Sequence, residues 1–180
     1  YVDDLKLPGM VFGDFVRSSH AHARIKSLDT SKAKALPGVI AVLTAADLKP
    51  LNLHYMPTLA GDVQAVLADE KVLFQNQEIA FVVAKDRYIA ADAIELVEVE
   101  YEPLPVLVDP FKALEPDAPL LREDIQEKMT GAHGPRKHHN HIFFWDIGDK
   151  DGTDDVFAKA DVVSKDLFTY HRVHPSPLET

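Results

Sequence analysis

The stretch Ala68–Pro105, ADEKVLFQNQEIAFVVAKDRYIAADAIELVEVEYEPLP, reads as strand, helix, strand. Ile79–Ala84 is an apolar run of strand length, and Phe81, Val82 and Val83 favour a pleated surface. Lys85-Asp86-Arg87 breaks it, and Asp86 is placed to cap the helix that follows. In that helix Tyr88, Ala91 and Ile94, with Leu96 after them, form the expected apolar stripe, and Ala90, Ala91 and Ala93 allow close packing. From Leu96 the period changes to two. Val97, Val99 and Tyr101 share one face, and Glu98, Glu100 and Glu102 the other. Pro103 and Pro105 end the strand, because proline cannot donate to a ladder.

Around this centre the pieces are short. Met10–Arg17 is expected as a strand, with Gly13 at a bulge or close backbone approach. Ala21, Ala23 and Ile25 alternate with His20, His22, Arg24 and Lys26, a half-buried strand or a short irregular piece before one. Asp29-Thr30-Ser31 opens a short helix that Pro37-Gly38 ends. Val39–Leu43 is a strand, and Thr44–Leu48 a helical turn that Pro50 closes. Residues 51–64 read as an irregular surface loop, 65–67 as a short strand, and Asp109–Leu114 as one helical turn. Leu120–Lys137 reads as an exposed loop, and Asn140–Ile147 as an aromatic extended segment. Gly148–Gly152 is expected as a turn, Thr153–Asp155 as a cap for a helical turn, and Val162–His174 as a long period-two strand. Short strands mixed with short helices make this an α+β chain rather than a doubly wound sheet.

At 180 residues this is one domain or a little more. Its net charge of −10 repels phosphate backbones and argues against nucleic acid as a partner. The absence of cysteine removes disulfides, thiolate metal sites and cysteine nucleophiles. No apolar run approaches transmembrane length and no signal peptide is visible. Both ends read as cut from a longer polypeptide, since Tyr1 is not methionine and HPSPLET carries no polar tail.

Chemistry is thinly signalled. His138, His139 and His141, close after His133, are the first metal candidates, with His139 and His141 on one face. No second ligand cluster stands at suitable spacing, and His171 and His174 lie far along the chain, so a structural or interface role is the better reading. His20 and His22, beside Arg17 and Arg24, allow an anion pocket, but a polar strand face with satisfied histidines is favoured. Ser18, Ser19 and His20 are adjacent without a nucleophile elbow. Glu98, Glu100 and Glu102 could serve as paired carboxylates, yet a solvated face explains them better. Glycine-rich phosphate loops are missing.

Specific residues point further. Arg17-Ser18-Ser19-His20-Ala21-His22-Ala23-Arg24-Ile25, Leu36-Pro37-Gly38-Val39 and Leu43-Thr44-Ala45-Ala46-Asp47-Leu48 resemble the N-terminal part of the large subunit of molybdenum hydroxylases, the xanthine dehydrogenase and aldehyde oxidase superfamily. Gln75–Ala84, Ala90-Ala91 and Val97–Pro105 resemble the continuation, although Asn76 stands where members usually carry glycine. Asp109–Ala113, Lys137–Asp149 and His174–Thr180 look most like the aerobic carbon monoxide dehydrogenases of that superfamily. The resemblance covers essentially the whole chain.

It implies an α/β-hammerhead domain over residues 1–115, a connector with an aromatic strand over 116–161, and over 162–180 a strand leading into a molybdopterin-binding domain. It further implies oxidation of carbon monoxide with water at a molybdenum–copper centre on molybdopterin cytosine dinucleotide, in the remainder of the large subunit. Electrons would pass to a small iron–sulfur subunit and a medium FAD-carrying subunit, in a cytoplasmic dimer of heterotrimers able to associate with the inner face of the membrane. The family's copper ligand is a cysteine, which this sequence lacks, so no catalytic, cofactor-binding or metal residue is assigned to it. Its expected work is packing, with Phe143, Phe144, Trp145 and the loop 117–137 as contacts. The alternatives are a sibling hydroxylase acting on an aldehyde or N-heterocycle, or a free-standing interaction module of the same fold.

Overall fold

Strand β7 (Glu78–Ala84) lies between β1 (Phe12–Arg17) and β3 (Val39–Thr44) in a three-stranded antiparallel sheet. The computed structural model describes residues 4–53, 55–56, 64–123, 140–141, 147–171 and 173. They divide into two units, Gly9–Phe144, and Tyr1–Pro8 with Trp145–Thr180. In the first unit a second antiparallel sheet orders β6 (Lys71–Val72), β2 (Ala23–Asp29) and β8 (Glu98–Pro103). Helix α3 (Arg87–Glu95) carries the chain from β7 in one sheet to β8 in the other. The strand–helix–strand reading of 68–105 is therefore correct in its elements. Its two long strands never pair, and the α+β assignment holds because every described pairing is antiparallel.

The interior follows from β7. Ala80 and Val82 face a core with Val16, Ala33, Val42 and Ala93, while Ile79, on the opposite face, joins Ala23, Ala68 and Val72. A strand buried on both faces reads as a continuous apolar run, as this one does. Gly13 on β1 is a close approach rather than a bulge. A Cβ there would stand 2.2 Å from Phe81 Cζ, and the register shift of β1 falls at Val16/Arg17 instead.

Asp86 caps α3, its Oδ1 accepting from the amides of Tyr88 and Ile89 at 2.9 Å each. The inward face is not the expected one. Ala90 and Ala93 are buried, Ile89 and Ile94 half-buried, whereas Ala91 is exposed and Tyr88 is 76% exposed. The two small alanines let the helix backbone come close to β1 and β7, which turns Tyr88 outward. Gly38, with φ +96°, ends the turn after α1 (Ser31–Ala35), and Ile89 Cδ1 lies 2.6 Å from where a Cβ would be. Asn76 also lies in the left-handed region, φ 66°, where glycine is the default and asparagine the next choice.

Several sequence expectations are corrected. Pro50 does not close helix α2 (Ala45–Leu48). It sits in a tight turn over Lys49–Leu51 that ends at left-handed Asn52. The loop 51–64 contains half of a small hairpin, β4 (Tyr55–Met56) on β5 (Gln64–Ala65), which two-residue strands cannot announce by periodicity. Helix α4 (Lys150–Ala158) starts inside the expected turn, because Asp149 Oδ1 accepts from Gly152 N at 3.0 Å and caps it early. The strand expected over 162–174 forms neither helix nor ladder across 162–171, since none of the described residues pairs with it. Residues 124–139 of the loop and 142–146 of the aromatic segment lie outside the described residues.

Two outcomes test this architecture. Gly38→Ala should cost about 1–3 kcal/mol from positive φ and the Ile89 clash together. Gly9→Ala, also at positive φ but with nothing within 4 Å, should cost less; urea midpoints measure both. Asp47 Oδ2 accepts from Thr44 N at 2.7 Å and Thr44 Oγ1 at 2.8 Å, and these bonds hold its carboxyl below the ordinary 3.8. The capping contribution should thus be complete above that value and vanish as pH falls through the lowered one. The stability gap between this chain and Asp47→Asn, followed by acid titration, should close in that direction.

Candidate functional site

The polar residues with chemical potential gather at the turn from β1 to β2. Arg17 Nη1 donates to Glu78 Oε1 at 2.6 Å and to the Asn76 carbonyl at 3.0 Å. Ser18 is buried, its hydroxyl donating to His20 O at 2.8 Å and accepting from His20 N at 3.0 Å. Its backbone is tied to the β6–β7 turn through Ser18 N to Gln77 O and Asn76 N to Ser18 O, both 2.9 Å. The turn is a closed hydrogen-bonded knot, with no base aimed at the hydroxyl. His20 Nδ1 meets Ser19 Oγ at 3.1 Å, and its ring lies 4.5 Å from that of Tyr101. Burial pushes the Tyr101 phenol up, with the Ser18 hydroxyl beside it acting the other way.

His22 departs from the expected polar strand face. It is only 5% exposed, and its Nδ1 donates to the Pro105 carbonyl at 2.6 Å while its own carbonyl accepts from Leu104 N at 3.0 Å. The imidazole clamps the chain where it leaves β8, and its buried Nε2 meets no hydrogen-bond partner among the described residues. Arg24 instead turns to Glu123 at 3.6 Å. The two arginines thus answer separate carboxylates. Glu98, Glu100 and Glu102 are exposed, as expected of a solvated face. Glu98 pairs with Lys32, whose ammonium the pair pushes up, and Ser27 Oγ reaches Glu100 Oε2 at 3.5 Å.

A cleft of about 350 Å³ opens beside β2 and β6, lined among others by Arg24, Lys49, Tyr55, Asp69, Lys71 and Glu123. Its charges answer one another. Lys49 pairs with Asp69, and Glu123 faces both Arg24 and Lys71. Lys71 Nζ also donates to Leu121 O at 2.8 Å, holding 121–123 against the sheet. Among the described residues no three His, Cys, Asp or Glu side chains converge as a metal site. His141 and His171 belong to that set, while His133, His138, His139 and His174, with Phe143, Phe144 and Trp145, lie outside the described residues.

Asn140 is the residue that sequence reasoning passed over. Set among histidines, it is the amide that organises the connector. Its Oδ1 accepts from Leu121 N at 3.0 Å, and its Nδ2 donates to Ala113 O at 3.1 Å and Pro119 O at 2.9 Å. One amide satisfies three backbone groups of a segment that has no ladder of its own. Only the side chain's capacity to donate and accept at once hinted at it. Asn140→Ala should cost about 1–3 kcal/mol by stranding those groups. Hydrogen exchange should accelerate over 113–121 and stay unchanged in β7.

The chain's residues 1–105 match the family model for the aldehyde oxidase and xanthine dehydrogenase a/b hammerhead domain. All 180 residues are 90% identical to part of the carbon monoxide dehydrogenase large chain of Afipia carboxidovorans and 65% identical to that of Hydrogenophaga pseudoflava, in each case over 22% of the relative. The chain thus spans about a fifth of the length of these curated relatives. Reconstituted CO dehydrogenase from Oligotropha carboxidovorans superposes with a TM-score of 0.90 at 90% identity, over the whole of this chain and 22% of that one. Quinoline 2-oxidoreductase from Pseudomonas putida 86 matches 66% of this chain, and 16% of its own, at 39% identity and TM-score 0.58. The chain belongs to the aldehyde oxidase and xanthine dehydrogenase family and carries its α/β hammerhead domain.

Proposed function

We propose that this chain is a scaffold domain in the large chain of a molybdenum hydroxylase that oxidises carbon monoxide with water, giving carbon dioxide, two protons and two electrons. The observation that carries the reading is the 90% identity, sustained over all 180 residues, to a carbon monoxide dehydrogenase large chain. The 6-hydroxypseudooxynicotine dehydrogenase subunit of Paenarthrobacter nicotinovorans, by contrast, is 43% identical over 63% of the chain. One matching structure is named as a Cu,Mo-CO dehydrogenase. The residues present here do not fit such a centre. No thiolate is available for copper, and no donor cluster forms among the described residues. No step of the oxidation is therefore assigned to them.

Their work is mechanical: two sheets locked by β7, with the chain held by His22 where it leaves β8 and the connector pinned by Asn140 and Lys71. The domain boundaries proposed are 1–115 for the hammerhead, 116–161 for the connector and 162–180 for a strand entering the molybdopterin-binding domain. The partners proposed are the remainder of the large chain, an iron–sulfur subunit and an FAD subunit, as a dimer of heterotrimers. The proposed location is the cytoplasm, including the inner membrane face; among the described residues no helix is long and apolar enough to cross a membrane.

The intact large chain assembled with its two partner subunits should reduce an artificial electron acceptor with carbon monoxide, while the 180-residue chain should retain no molybdenum after dialysis. Turnover of an aldehyde or N-heterocycle without carbon monoxide activity would move the protein to a sibling hydroxylase. Stoichiometric molybdenum in the short chain would refute the scaffold role.

A further inference from the structure

The cleft beside β2 and β6 is lined by a buried amide of which only one end is used. Gln77, on the turn into β7, is 4% exposed. Leu73 N donates to its Oε1 at 2.6 Å. A backbone N–H can meet only an acceptor, so that bond fixes which end of the amide is oxygen. The NH2 end carries two donors, and among the described residues neither meets an acceptor. It is not sealed inside either. Among the described residues the wholly buried side-chain nitrogen without a partner is His22 Nε2, so Gln77 Nε2 reaches open space, and the open space that Gln77 lines is this cleft. Buried polar groups are almost always hydrogen-bonded, and these two donors await an acceptor from the cleft side.

The charges around the amide indicate the class of guest. Four cationic side chains line the cleft against three carboxylates, in a chain of net charge −10. Lys49 is taken by Asp69. Arg24 and Lys71 share the carboxylate of Glu123 at 3.6 and 3.9 Å. Both distances exceed the roughly 2.7–2.9 Å of a charge-assisted hydrogen bond. Glu123 is exposed, so water screens the pairing and it contributes little. Glu123 thus marks where a carboxylate sits without holding the place firmly. Leu73 and Phe74 supply an apolar wall, and the volume of about 350 Å³ suits a small ligand.

We propose that this cleft binds a small monocarboxylic acid with a flat apolar body. The carboxylate takes the place of Glu123 between Arg24 and Lys71 and accepts from Gln77 Nε2, while the body lies against Leu73 and Phe74. The inference stands on residues of this chain and is independent of the substrate that the hydroxylase turns over.

Benzoate is the probe, titrated calorimetrically into the intact large chain assembled with its partner subunits. Binding should be saturable, and benzamide, the same body without the charge, should bind about tenfold or more weaker. Gln77→Glu keeps an oxygen for Leu73 N and replaces the two donors with a second oxygen. It should weaken benzoate about tenfold or more. Arg24→Gln, at an exposed position, should do the same, and it carries the test if the buried substitution unfolds the chain. Glu123→Gln removes the competing carboxylate and should tighten benzoate about threefold. Absence of saturable binding at millimolar benzoate would overturn the proposal. So would binding indifferent to Gln77→Glu and Arg24→Gln, which would place benzoate elsewhere on the enzyme. Unchanged or weaker binding in Glu123→Gln would refute the exchange of carboxylates. An enzyme that oxidises carbon monoxide but does not bind benzoate would sink this inference alone. One that binds benzoate but is inactive on carbon monoxide would sink the substrate reading alone.

Discussion

Strand β7 must satisfy neighbours on both edges and cores on both faces at once. Its backbone pairs with β1 and β3, while Ile79 and Ala80, adjacent in sequence, enter different hydrophobic clusters. A slip by one residue would exchange those clusters, placing the bulk of Ile79 where the alanines of α1 and α3 allow only a methyl group. The second sheet depends on the same constraint. It meets β7 through the Ile79 face, with Ala68 N donating to Glu78 O at 2.7 Å beside it.

That constraint explains which parts of the chain were legible. A strand buried on both faces announces itself as an apolar run, an aspartate cap as a polar break, and a half-solvated edge such as β8 by strict alternation. The face of α3 was misjudged because amphipathic spacing weights large side chains, whereas here two alanines decide the contact and Tyr88 goes outward. The β4–β5 hairpin was too short to show a period. At 162–171 the alternation was visible, but no described residue pairs with the segment.

The candidate site was legible mainly in what it excluded. The chain without cysteine, phosphate loops or a nucleophile elbow pointed away from chemistry, and the family resemblance was carried by residues that turn out to shape turns. Arg17 to Arg24 fold the β1–β2 corner, while Asn76, which departs from the family pattern, adopts the left-handed geometry that makes glycine its natural substitute. His22 and Asn140 work through long-range contacts to Pro105 and to 113–121. A single sequence shows the donors and acceptors of such residues but not which distant carbonyls they will meet.

Among the described residues the buried apolar set is light in one respect: Ala23, Ala33, Ala45, Ala68, Ala80, Ala84, Ala90 and Ala93 make up most of it. Alanines bring backbones close but remove little apolar area from water, at roughly 25 cal/mol per Å². Several larger side chains packed against this set, among them Ile94, Leu96, Val97 and Tyr101, are only partly covered. Such a domain holds its shape through close geometry more than through the depth of its interior. Anything that packs on those half-covered side chains would add to its resistance to heat by mass action, which would make its melting point depend on what it is bound to.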